Sequence, residues 1–466
     1  MVDVTDRTTR AAPFALLVVS VVVAQLGGEG TARASGFYMP GRGVRPMGRA
    51  GAYVATSDGD LNALWYNPAN LAGIEELTLT VDLAVIGSFS SFDRAPRTTE
   101  SGETKTYREV SNSAAPKPDP QVLIGGPTPV EGLTWSAGVY APYAAPQTFP
   151  KDGPQRYALI DNSKSTMAWI HAAVAYQVND WLRVGGGIQN MLAHFEYVNT
   201  ASGYTGMYGR PEDRDLDILT KINVDDYFAP SGNLGATITP APGLKTAVSV
   251  QFPFRVYDED AKLQAKMPSH PSFDNAELSS NRVAGGLNFP LIARLGVGYR
   301  RETFDVELAA VYERWSTLQE IEVKPKAVEV ENVPGVGAMP VSPLSIPKNW
   351  RDTFSIRLGG DVRWSDTVTT RLGYAYETGA VPKSTMSVFS VDRDKHMIGG
   401  GMTYDWGRWE LDASLGWYLL EDARITSSEL RQINPVDTED ELATVIGNGK
   451  YEAMQVVGGL GVNWTF

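Results

Sequence analysis

Cysteine is absent from the 466 residues, which excludes disulfides, thiolate metal sites and a cysteine nucleophile. Histidine is scarce: His171, His194, His270 and His396 are too scattered for a zinc cluster, so neither a metal nor a cofactor is expected. Basic residues are the minority, 41 Lys and Arg against 54 Asp and Glu, and the net charge of −13 argues against nucleic acid or a basic lipid-binding surface. Long apolar runs are missing too. With a mean hydropathy of −0.19 the chain is no helical protein of several spans, yet 43% hydrophobic residues make it too apolar to be disordered.

What is abundant points to strands and turns. Forty-six Gly, 29 Pro, 20 Tyr and 11 Trp suit an all-β chain of many strands joined by turns. The N-terminus has the order of a secretory signal: Arg7 and Arg10, an apolar core from Phe14 to Leu26, then Ala32-Arg33-Ala34. That core is short for the ~20 residues needed to span a bilayer, so residues 1–34 are expected to be removed before Ser35.

After residue 75 the pattern becomes two-periodic. Leu77, Leu79, Val81, Leu83 and Val85 share one face, and Thr78, Thr80 and Asp82 the other. Phe354, Ile356, Leu358 and Val362 against Ser355, Arg357, Asp361 and Arg363 repeat the split. One strand alone does not distinguish a soluble sandwich from an inverted membrane barrel, but the loops do. Strands are expected near 75–92, 119–127, 132–146, 164–178, 181–199, 218–239, 244–258, 278–300, 303–317, 349–364, 367–379, 393–405, 408–420 and 451–466. Their connections alternate long and short throughout, the asymmetry of outer-membrane barrels with short periplasmic turns and long extracellular loops. The expected fold is therefore a 14-stranded antiparallel transmembrane β-barrel over 75–466. Trp464 and Phe466 end an alternating last strand, as a signal to the outer-membrane assembly machinery would.

Residues 35–74 do not alternate. They run from Ser35-Gly36-Phe37 through Gly41, Arg42, Gly43, Arg45, Gly48 and Arg49 to Asn67-Pro68-Ala69, and a compact segment of this size suits an N-terminal hatch, a plug inside the lumen whose arginines meet inward carboxylates.

At this point the sequence resembles the FadL/TodX family of outer-membrane transporters for long-chain fatty acids and other hydrophobic compounds. The resemblance rests on Ser35-Gly36-Phe37, Gly48-Arg49-Ala50-Gly51, Asn67-Pro68-Ala69, Tyr140 through Pro146 with Arg156-Tyr157, Val174 through Asn179, Gly185-Gly186-Gly187, Arg371 through Tyr376 and Asp392-Arg393-Asp394, in that order over nearly the whole mature length. It implies a barrel plugged by its hatch, in the outer membrane of a Gram-negative bacterium among lipid and lipopolysaccharide. The implied function is passive uptake of a long-chain fatty acid or other hydrophobic molecule, with Ser35, Gly36, Phe37, Asn67 and Pro68 along the path.

It also implies an inward kink, and so a side opening, at Pro142, Tyr143, Ala144, Ala145 and Pro146 of the third strand. Proline supplies no ladder donor and fits such a break, or simply the strand's end. The loop 147–163 is shorter than the family's usual extended loop after this strand, so initial capture is expected to differ. Two other readings are an outer-membrane lipid hydrolase, for which His171 is the best catalytic residue, and an adhesive barrel; neither is favoured, and the chain is not expected to be an enzyme. If Phe466 is an assembly signal, deleting it will lower the folded, heat-modifiable protein in the outer membrane; normal levels of that variant would count against the signal.

Overall fold

The computed structural model describes residues 42–466, apart from 100–101, 144–145, 207, 334–336 and 436–441. The proposed signal segment 1–34 and Ser35, Gly36 and Phe37 lie outside the described residues, as do Ala144 and Ala145. Fourteen antiparallel staves form the wall. They are β1 (Thr78–Arg94), β2 (Lys117–Pro127), β3 (Leu133–Tyr140), β4 (Thr166–Asn179), β5 (Leu182–Ser202) and β6 (Asp217–Ala241). Then come four staves each interrupted once: β7 (Leu244–Gln251 and Phe254–Lys266), β8 (Arg282–Phe289 and Ile292–Arg300), β9 (Phe304–Glu313 and Glu320–Pro325) and β10 (Leu344–Pro347 and Thr353–Arg363). The last are β11 (Val368–Glu377), β12 (Lys395–Trp406), β13 (Trp409–Leu420) and β14 (Gly449–Thr465). β1 pairs with β14 from Thr78↔Thr465 to Arg94↔Gly449, so the sheet closes on itself and has no free edge strand.

Burial settles which way the two faces point. Leu83, Leu358 and Leu372 are 51%, 51% and 69% exposed, while Asp82, Glu307 and Asp412 are 4%, 0% and 3% exposed. Apolar residues outside and carboxylates inside is the arrangement of a barrel in lipid. Trp181, Trp364, Trp406 and Trp409 are exposed at the short-turn end, where a girdle of indoles meets the membrane interface. Gly243 (φ 80°) and Gly407 (φ 76°) supply the left-handed backbone that two of these tight turns require. At the same end Phe466 N donates to Leu77 O at 3.0 Å, and Trp464 stacks on Trp409 with centroids 5.0 Å apart.

The third strand is shorter than the sequence pattern suggests. β3 stops at Tyr140 rather than running to 146, because Pro142 lacks the N–H that would continue the ladder.

Residues 42–74 touch strands all round the wall and so lie within it. They comprise α1 (Val44–Gly48), α2 (Ala63–Tyr66) and a 3₁₀ turn at Pro68–Gly73. Such short helices carry little stability of their own and depend on the wall for it. Glu307 of β9 accepts from Ala55 N (3.0 Å), Thr56 N (2.8 Å) and Thr56 Oγ1 (2.7 Å) as well as from Val54 N, and Asp82 of β1 accepts from Val44 N at 3.0 Å. Arg45 pairs with Asp412 (2.8 Å) and Glu410, Arg49 with Asp305 (2.7 Å) and Asp361 (3.3 Å), and Asp58 with Arg183 and Lys245.

Wall glycines admit the segment closely: a Cβ on Gly185 would stand 2.6 Å from Ala69 N. Gly185-Gly186-Gly187 therefore belongs to a strand, with no phosphate-loop geometry. Glu307→Ala strips four donors of their acceptor at about 1–3 kcal/mol each. The expected outcome is a barrel that still folds but conducts small ions in planar bilayers more often than the unmodified protein; unchanged conductance would show that the segment is not held by these bonds.

Candidate functional site

Above the N-terminal segment, in the half of the barrel next to the long loops, lies a cavity of about 540 Å³ lined mostly by apolar side chains, among them Met167, Phe195, Leu263, Phe289 and Val323. They reach it from β4, β5, β7, β8 and β9, whose inward positions turn from polar or small near the N-terminal segment to apolar here. Aromatic rings continue from it across the lumen. Phe254 stacks on Phe289 (4.4 Å, 5°) and meets Trp169 edge-on at 4.7 Å, Tyr143 lies 4.8 Å from Phe289, and Trp315 packs against Trp350 at 5.1 Å. Trp65 of α2 joins from below, 5.8 Å from Tyr140. The arrangement accepts apolar cargo by removing apolar surface from water, and aromatic edges and faces suit flat or chain-like molecules.

Among this lining is Lys348, 3% exposed, its ammonium 4.7 Å over the Phe389 ring, with no carboxylate partner among the described residues. A cation so placed attracts the acidic end of an otherwise apolar molecule, because burial leaves it without the water that would screen it.

The extracellular mouth above is tied together by Glu212, which receives Arg94 (2.6 Å), Lys105 (2.9 Å), Tyr107 (2.8 Å) and Thr444 (3.1 Å). Burial works to raise this carboxyl, but Arg94, Lys105 and Tyr107 outweigh it and hold the group down at about 2. The loops therefore stay tied at neutral pH.

Beside Tyr143, among the described residues, β2 and β4 run past the end of β3 with no ladder partner on the facing edge. On β2, residues Val122–Pro127 pair with β3, but Lys117–Gln121 pair with β1 alone. On β4, Trp169–Tyr176 pair with β3, while Thr166–Ala168 pair with β5 alone. Arg42 spans part of this window, bound to Asp119 (3.0 Å) and to Ala141 O, and Lys117 Nζ reaches Ser163 O (3.3 Å) and Ser165 O. Pro142, Tyr143 and Pro146 are buried, and the Tyr143 ring meets Phe254 and Phe289 inside the barrel.

The remaining residues singled out by sequence have other places. Asn67 Nδ2 donates to Val54 O (3.0 Å) and Thr237 Oγ1 (2.8 Å), and Pro68 sits against Gly185, so the pair fixes the N-terminal segment to β5 and β6 and does not line the cavity. His171 is held by Tyr140 OH at 2.7 Å, Gln189 Nε2 at 3.2 Å and Asn233 Oδ1 at 3.1 Å. None of these is a nucleophile awaiting a base. Lys348 and the aromatic run were not anticipated. Their residues come from staves far apart in sequence, and Lys348 falls in the interruption of β10, where no alternation marks which way a side chain points.

Comparison with known proteins agrees with this geometry. The family profile described as outer membrane protein transport protein (OMPP1/FadL/TodX) matches residues 26–466. Among solved structures the chain is similar to a FadL homologue of Pseudomonas aeruginosa, with a TM-score of 0.72 at 17% identity over 93% of this chain and 100% of that one. It is also similar to the toluene transporter TbuX of Ralstonia pickettii (0.60, 16%, 92% and 99%) and the toluene transporter TodX of Pseudomonas putida (0.57, 14%, 87% and 94%). No curated protein sequence matches it. The chain belongs to the OMPP1/FadL/TodX family of transport proteins and is a multi-pass β-barrel of the outer membrane.

Proposed function

We propose that the protein is a passive channel for hydrophobic molecules, long-chain fatty acids foremost. The observation that carries this reading is the apolar cavity with Lys348 among its lining, above a lumen filled by residues 42–74. An open porin favours polar solutes; a lumen blocked below and lined with apolar side chains above favours the reverse. Cargo would enter between the extracellular loops, leave water in the cavity with an acidic head at Lys348, and pass Tyr143 to the window above β3. With residues 35–74 acting as a hatch, the way to the periplasmic end is shut, and the window gives sideways passage to the bilayer. The driving force is partition alone.

Lys348→Met is expected to weaken binding of oleic acid about tenfold, as loss of roughly 1.4 kcal/mol would, and to leave dodecane binding unchanged. Equal affinity for the acid in both proteins, read by equilibrium binding in detergent, would remove Lys348 from the site. Replacing Pro142 and Pro146 with Val restores two donors, and the extended pairing should narrow the window and slow oleate uptake by cells. Wild-type uptake at equal surface abundance would place the exit elsewhere.

A further inference from the structure

The ladder of the wall is broken at a second place that leads to the same cavity. β6 and β7 pair from Leu244↔Ala241 to Gln251↔Asn233, and again from Lys262↔Asn223 to Lys266↔Leu219, with no paired residues between. Over this stretch β6 stays paired to β5 (Met191↔Ala229, Phe195↔Val224) and β7 to β8 (Phe254↔Phe289, Val256↔Leu287). Each strand is held from behind while their shared edges part.

Few bonds cross the seam. At its lower end Phe252 N donates to Gly232 O (2.9 Å) and Ser231 Oγ to Phe252 O (2.8 Å). At its upper end Asp225 N donates to Asp258 Oδ2 (3.0 Å) and Tyr257 N to Asp226 Oδ2 (2.9 Å). Carboxylate side chains there take the place of ladder carbonyls, so the backbones stand further apart than paired strands do. Between the two ends lie 227–231 and 253–256, including Pro230 and Pro253. Backbone left unpaired toward lipid costs several kcal/mol per group, and two prolines reduce that cost by removing two donors.

The seam has a defined depth. Gln251 ends the eight-residue lower piece of β7, which places the parting about 20 Å above the periplasmic turns, in the outer part of a ~25 Å apolar band. Tyr227, Phe228 and Phe252, at 64%, 77% and 42% exposure, face outward around it as an aromatic lip. On the inner side Ala229, Phe254 and Val256 are buried, and Val224 and Val256 line the cavity. One layer of side chains therefore separates cavity from outer leaflet. The interruption between β8 and β9 is crossed by fewer bonds, Arg314 N to Leu291 O at 2.9 Å and Asn288 Nδ2 to Thr317 O at 3.5 Å, but Trp315, fully buried against Trp350, backs it from within.

We propose that the β6–β7 seam is a lateral door through which uncharged apolar molecules exchange between the cavity and the outer leaflet, with Asp226 and Asp258 as its latch. The proposal rests on the cavity being the cargo chamber. It gives molecules already dissolved in the membrane a route that bypasses the mouth tied by Glu212.

The experiment uses the full protein in nanodiscs of brominated phosphatidylcholine. Diphenylhexatriene fluoresces in the cavity and is quenched in the bilayer, so its decay on adding excess dodecane reads the release rate. Ala229→Trp, which fills the inner side of the seam, is expected to slow release roughly fivefold, a barrier increase of about 1 kcal/mol. Asp226→Ala with Asp258→Ala, which removes the latch, is expected to speed it by a similar factor. Unchanged rates in both would overturn the door alone. Should Ala229→Trp lack heat-modifiable mobility, the latch variant decides, and an unchanged rate there overturns the proposal. Absence of cavity fluorescence in the unmodified protein would overturn the chamber, and the door with it.

Discussion

Everything in this molecule follows from the need to satisfy backbone hydrogen bonds where there is no water. A strand crossing lipid must be paired on both edges, which forces closure between β1 and β14. Closure in turn fixes the two-residue period: one face of every stave meets lipid and the other meets the lumen. Leu83 and Asp82, adjacent in sequence, end in opposite environments for this reason alone.

A lumen bounded by carboxylates and guanidinium groups has to be filled by something that pairs them. Residues 42–74 do so with arginines and with backbone donors, and the pairing is reciprocal. Glu307, fully buried, would be costly without Val54, Ala55 and Thr56, and those N–H groups would be equally costly without Glu307. Ion pairs reach the segment from β5, β7, β9, β10 and β13. An element held from so many directions is hard to displace as a unit, which favours passage through the wall over passage beneath it.

The barrel was legible because alternation and loop length are local and repeat many times. Strand positions read from sequence agree with the staves to within a few residues along most of the chain; β3 departs because a proline at 142 ends a ladder earlier than the apolar pattern suggests, and β7 and β9 resume after an interruption and run on to Lys266 and Pro325, past the expected ends at 258 and 317. The apolar cavity was much less legible. Phe254, Phe289, Trp169 and Trp315 lie on four staves, and each alone reads as an ordinary aromatic strand residue or strand end. Their meeting depends on register and shear, which no single segment encodes. Lys348 was hidden for a related reason, since an interrupted stave has no parity to read.

The breaks in pairing carry the functional argument. In a wall whose only purpose was enclosure, unpaired edges would be a cost without return, yet two interruptions, above β3 and between β6 and β7, both flank the aromatic run, at Tyr143 and at Phe254. Both also contain prolines, which lower the number of donors left without partners. Selection for a tight barrel would remove such features from at least one of the two positions. Their joint placement at the level of one apolar cavity is what a chamber exchanging cargo with the membrane requires, and an aqueous pore would have no use for either.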